Sequence, residues 1–65
     1  MTFETYEFDA NAGRRVYARH DTFSAAWQAL RERPNVISAE IDADHPDCAD
    51  AFLSNGVLLS IGPIA

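Results

Sequence analysis

The chain has 65 residues, an apolar fraction of 48%, a single cysteine and a formal charge of −5, with ten acidic residues against five arginines and no lysine. A chain of this length makes one domain (residues 1–65) and buries only about 60% of the surface its unfolded form exposes. One cysteine excludes an internal disulfide, the start Met1-Thr2-Phe3-Glu4 lacks the basic and apolar regions of a signal peptide, and no apolar run approaches the ~20 residues of a membrane span.

The first element is residues 3–9, where Tyr6 and Phe8 alternate with Thr5, Glu7 and Asp9, the period of two of a half-buried strand. Asn11-Ala12-Gly13 follows, a loop that suits a hairpin with its glycine in the left-handed region. In residues 14–20, Val16 and Ala18 alternate with Arg15, Tyr17 and Arg19. The expected register pairs Phe8 with Val16 and Tyr6 with Ala18 on the buried face. It pairs Asp9 with Arg15 and Thr5 with Arg19 on the wet face, each pair contributing roughly 0.2–1 kcal/mol.

Asp21 or Thr22 then caps a helix of about 12 residues, some 18 Å long. Its Phe23, Ala26, Trp27 and Leu30 form one apolar stripe at i, i+3, i+4 and i+7. Arg31 and Arg33 sit at the negative end of its dipole, and Pro34 stops it. A third strand is expected over residues 36–43, with Ile37, Ala39, Ile41 and Ala43 on one face and Ser38, Glu40 and Asp42 on the other. His45-Pro46-Asp47 reads as a helix start, and a short second helix over 47–54 would bury Phe52 and Leu53 and end at Asn55-Gly56. Residues 57–61 make a last strand ended by Gly62-Pro63. The resulting expectation is an α+β fold: a four-stranded, mainly antiparallel sheet packed on one main helix, with a short second helix, in the order ββαβαβ.

Charge is the most informative feature. The acids and arginines of residues 1–34 cancel, whereas Glu40, Asp42, Asp44, Asp47 and Asp50 fall within eleven positions of a second half that has no basic residue. Direct nucleic-acid binding needs a basic footprint, so this surface is expected to repel nucleic acid and anionic membranes and to attract a basic protein. On the expected strand, Glu40, Asp42 and Asp44 form a row with a spacing of about 6.6–6.8 Å, extended by Asp47 and Asp50 on one face of the second helix. Water-facing strand residues are often charged without any role. Five uncompensated acids, however, destabilise the compact state by self-repulsion, which favours a functional reading. These five are the expected partner-binding residues. Tyr17, flanked by Arg15 and Arg19 on the hairpin, is a second candidate interface, because exposed aromatics and arginines anchor binding surfaces.

Metal and catalytic chemistry find little support. The acidic run lacks the glycine and closing glutamate of a calcium loop, and His45 with Cys48 supplies two ligands where structural zinc takes four. Paired-carboxylate hydrolysis needs a cleft that separates two pKa values, and a domain of this size has little room for one. No cofactor is expected, and no enzymatic activity.

The opening MTFETYEFDANAGRRVYARHDTFSAAWQAL and the stretch EIDADHPDCAD resemble the type I-C anti-CRISPR proteins of phages and mobile elements. The resemblance spans most of the chain and carries over no individual site residue. It implies an inhibitor acting in the bacterial cytoplasm; small domains often compensate for a small core by self-association, so monomer and homodimer are both open. Such an inhibitor binds the crRNA-guided surveillance complex, Cascade, and blocks target DNA, in several cases by imitating duplex DNA at the PAM-reading site. PAM readers work through basic side chains, in keeping with an acidic inhibitor. An antitoxin, or a small regulatory subunit that neutralises a basic protein, would use the same acidic face.

Overall fold

The computed structural model describes residues 1–9, 11 and 13–64, the side chain of Asp9 excepted. Among these residues the chain forms β1 (Thr2–Asp9), β2 (Gly13–His20), α1 (Phe23–Arg31), β3 (Val36–Ile41), β4 (Ala49–Leu53) and β5 (Leu58–Ile64). The strands make one five-stranded sheet in the order β2-β1-β5-β4-β3, and every neighbouring pair is antiparallel. The expectation of four strands and two helices is therefore corrected to five strands and one helix.

The correction has its origin in residues 47–54. Ala49, Ala51 and Leu53 are buried while Asp50 and Phe52 are exposed, a period of two that only a strand can satisfy. Alanine favours helix intrinsically, but here β3 and β5 pair with this segment on both sides, and the ladder outweighs the propensity. Pro46 starts no helix. It is the second residue of a turn in which the Cys48 N–H donates to the His45 carbonyl at 2.9 Å, the position where proline's fixed φ fits. Asn55-Gly56 is likewise not a helix cap but the turn between β4 and β5, where Gly56 has φ +87° and donates to the Leu53 carbonyl at 3.0 Å. The last strand does not stop at Gly62-Pro63. Pro63 lies past the residues of β5 paired with β4, with β1 alone beside it, and a strand with one open side tolerates proline.

The β1–β2 hairpin forms with a different register. Its partners are Thr5 with Ala18, Tyr6 with Val16, Glu7 with Arg15 and Phe8 with Arg14, and Tyr17 is an extra residue that bulges β2. Phe8 is consequently 74% exposed, and Phe3, on the other face, is part of the core at 8%. The expected Asp9–Arg15 pair involves a side chain outside the described set, and the expected loop includes Ala12, also outside it. Gly13 itself has φ +81°.

Helix α1 lies across one face of the sheet, packed on β2, β1, β5 and β4. Thr22 caps it, its Oγ accepting from the Ala25 N–H at 3.1 Å. The stripe lies against Phe3, Ala49, Ala51, Leu53, Leu59 and Ile61, with Ala26 and Leu30 fully buried. Phe23 meets Phe3 edge-on at 5.8 Å and stacks on Trp27 at 6.3 Å. Among the described residues no helix lies over the opposite face of the sheet.

Candidate functional site: the acidic end of the β3–β4 hairpin

Strand β3 ends at Ile41, so the expected row Glu40, Asp42, Asp44 does not run along one strand. The acids instead gather around a hairpin. Glu40 and Asp50 are direct cross-strand partners on β3 and β4, and both are exposed. Like charges placed directly opposite one another destabilise a sheet. The Asp50 carboxylate accepts the Ser60 hydroxyl at 2.8 Å, which holds it on the face that the helix leaves open.

Asp42, Asp44 and Asp47 lie in the connection, residues 42–48. Two successive turns build it, with the His45 N–H donating to the Asp42 carbonyl at 3.3 Å and the Cys48 N–H to the His45 carbonyl at 2.9 Å, and the Asp42 N–H closes it on the Cys48 carbonyl at 3.0 Å. The Asp42 carboxylate accepts the Asp44 N–H at 2.9 Å and lies 3.6 Å from His45 Nδ1. This is the local hydrogen bonding that makes aspartate a turn former. Asp42 therefore shapes the connection, whereas Asp44 and Glu40 present their charge outward. Asp47 is half-buried and accepts from the Cys48 thiol at 3.8 Å. Asp47 and Asp50 share no helix face; they stand near the end of the connection and near the start of β4.

Burial pushes the Cys48 thiol up from its ordinary value, and the charges of Asp47, Asp42 and Asp50 and the hydrogen bond to Asp47 push the same way. The nucleophile is the thiolate, so Cys48 is expected to alkylate several-fold more slowly than free cysteine near pH 8. Asp47→Asn, which removes the nearest charge, is expected to recover part of the rate. Mass-spectrometric time courses with iodoacetamide measure both. Equal rates for the protein and free cysteine would remove the acidic cluster's hold on the thiol. Among the described residues no three His, Cys, Asp or Glu side chains are grouped to hold a metal ion, and no helix is long and apolar enough to cross a membrane.

The second candidate interface is divided between the two faces of the sheet. Tyr17 donates to Glu7 at 2.7 Å, and Arg33 from the helix end lies 5.5 Å from its ring centre. Arg15 is the cross-strand partner of Glu7. Arg19 points the other way, onto Glu4 at 3.0 Å. The sequence reading missed the group Arg19 joins. Glu4 is only 5% exposed, and its second oxygen is held by Arg14 at 3.0 Å. Arg14 also lies 3.9 Å above the Tyr6 ring centre. The available signal was Glu4 in alternation with Tyr6, two apart on one face, beside a strand with arginines at both ends.

Comparison with protein-family models, curated proteins and solved structures finds no match for the chain.

Proposed function

We propose that this chain is a non-catalytic inhibitor that docks its acidic hairpin end on a basic, DNA-reading protein surface, that of a type I-C surveillance complex. The carrying observation is the gathering of Glu40, Asp42, Asp44, Asp47 and Asp50 around one hairpin, in a half of the chain with no lysine or arginine. The arrangement costs stability in isolation, because Glu40 and Asp50 abut. A surface lined with arginine and lysine would offset that cost and would be drawn to it at long range. The resemblance to type I-C anti-CRISPR proteins supplies the partner, and occupation of its DNA site by carboxylates would exclude target DNA.

The test is displacement of target DNA from a purified type I-C surveillance complex. The wild-type chain is expected to compete with DNA, and to do so less well as salt rises, since exposed charges are screened within about 8–10 Å at 0.1–0.15 M ionic strength. Glu40→Lys together with Asp44→Lys is expected to weaken competition at least about tenfold. Asp42 is left in place because its carboxylate holds the connection together. Undiminished competition by the double variant would sink the reading.

A further inference from the structure

The sheet face opposite α1 carries Val16 (40% exposed), Phe8 (74%), Leu58 (49%) and Phe52 (48%). Leu58 and Phe52 are cross-strand partners, and Val16 is the partner of Tyr6. The pairing of Tyr6 with Ser60, extended by two residues, sets Phe8 level with Leu58. Phe8, Leu58 and Phe52 thus form one row across β1, β5 and β4. Monomeric proteins rarely leave a contiguous apolar row of this kind in water.

The same face is electrically lopsided. Arg14 and Arg19 stand on β2 at one edge, while Glu40 on β3 and Asp50 on β4 stand at the other. Both edge strands are themselves guarded against pairing, since the extra residue of each irregular ladder, Tyr17 on β2 and Ile37 on β3, lies on the edge strand. Bulges of this kind discourage edge-to-edge addition, which leaves the open face as the route of association.

We infer that this face is the interface of a two-fold dimer of the chain, with the axis parallel to the strands and passing over β5. Because β5 is the middle strand, that rotation lays β2 of one copy over β3 of the other and β1 over β4. Residues at the same level along the strands then meet. Phe8 faces Phe52 of the second copy, Leu58 faces its own symmetry mate, Tyr6 faces Asp50, and Val16 faces Glu40, which Arg14 and Arg19 bracket one level to either side. A two-fold axis perpendicular to the strands would instead stack β2 on β2 and β3 on β3, like charge on like. The product is a sandwich of two aligned sheets about 10 Å apart. Glu4 offsets one of the two arginine charges, so each acidic end stays in excess. The two connections, residues 42–48, lie at the same end of the sandwich on opposite edges, their centres separated sideways by three strand spacings, roughly 14 Å. The dimer does not depend on the docking reading and would stand without it.

Sedimentation equilibrium of the full chain at roughly 100 µM is expected to give twice the 7.2 kDa chain mass. Leu58→Glu, which would set two carboxylates face to face on the axis, is expected to weaken the dimer at least about a hundredfold, with an unchanged circular dichroism spectrum. Leu58→Cys in a Cys48→Ser background is expected to be joined to its mate by a short bis-maleimide, because a two-fold axis over residue 58 brings it to its own mate and sheets about 10 Å apart leave the pair within that reagent's reach though beyond a disulfide's. A monomeric wild type at that concentration, a dimer indifferent to Leu58→Glu, or a failure of Leu58→Cys to cross-link would each overturn the inference. Because Glu40 also borders the dimer face, docking is tested apart from it by Asp44→Lys alone, in the connection outside the sheet face; loss of DNA competition by that variant leaves the dimer outcomes untouched, so the two readings fail separately.

Discussion

Leu30→Ala is expected to lower the melting temperature by roughly 12–24 °C, the largest effect of any single truncation in α1. Leu30 is 1% exposed and sits in the last turn of the helix, within the core formed with Leu59 and Ile61. Cutting its isobutyl group back to a methyl forfeits the transfer free energy of three carbons and leaves a cavity, about 3 kcal/mol in a range of 2–5. A domain of this size holds roughly 3–10 kcal/mol in total, and each kcal/mol moves the midpoint by about 4–8 °C. Leu30→Met, which keeps the volume, is expected to cost less than about 1.5 kcal/mol. Phe52→Ala in the isolated chain should cost less than Leu30→Ala despite the larger side chain, because Phe52 is 48% exposed. Thermal melts followed by far-ultraviolet circular dichroism rank the three. If Leu30→Ala melts beside the wild type, the helix does not pack on the sheet as described.

The second large effect concerns the carboxylate that lies beneath two arginines. Replacing Arg14 and Arg19 together by methionine is expected to destabilise the chain by about 2–4 kcal/mol. Glu4 is 5% exposed and each of its oxygens is held by one guanidinium at 3.0 Å, so the double variant leaves a buried charge with neither partner. Methionine retains most of the aliphatic cover that the Arg14 stem lays on Tyr6, and the loss is therefore electrostatic rather than one of packing. Adding Glu4→Gln to that background removes the stranded charge and should recover a substantial part of the stability, because a buried ion group replaced as a whole is often close to neutral. Urea titrations of the three proteins separate the outcomes. If Glu4→Gln gives no recovery in the methionine background, the arginines act through packing alone.

The sequence was legible where periodicity and local chemistry agreed. Thr22 as cap and the stripe Phe23, Ala26, Trp27, Leu30 mark the helix, which is shorter than expected because it closes at Arg31. The alternation through residues 3–9 and 14–20 marks the hairpin strands, but alternation cannot say which of two faces is inside. Phe3 and Thr5 went in while Phe8 stayed out, a choice set by where α1 lies. The bulge at Tyr17 then shifted the rest of the register by one residue, which moved the arginines to new partners. Residues 49–53 suit a helix as well as a strand by spacing alone, because Ala49 and Ala51 are weak hydrophobic markers and Phe52-Leu53 fits either period. Of the candidate site, the identities of the acids were plain and their layout was not.

What the sequence determined by itself is composition and local preference: one small domain without a disulfide, a capped helix, a first hairpin, and a second half that is uniformly acidic. These depend on residue identity and near neighbours along the chain. What only the tertiary structure decided is which residues meet across distance. Insertion of β5 between β1 and β4 made a fifth strand of the supposed second helix, since a segment flanked by ladders on both sides satisfies its backbone more completely as a strand. The same pairing brought Glu40 against Asp50, closed Arg14 and Arg19 over Glu4, and left Phe8, Leu58 and Phe52 in a row on the uncovered face. Each is a non-local contact, set by strand order and register, and neither can be read from spacing along the chain.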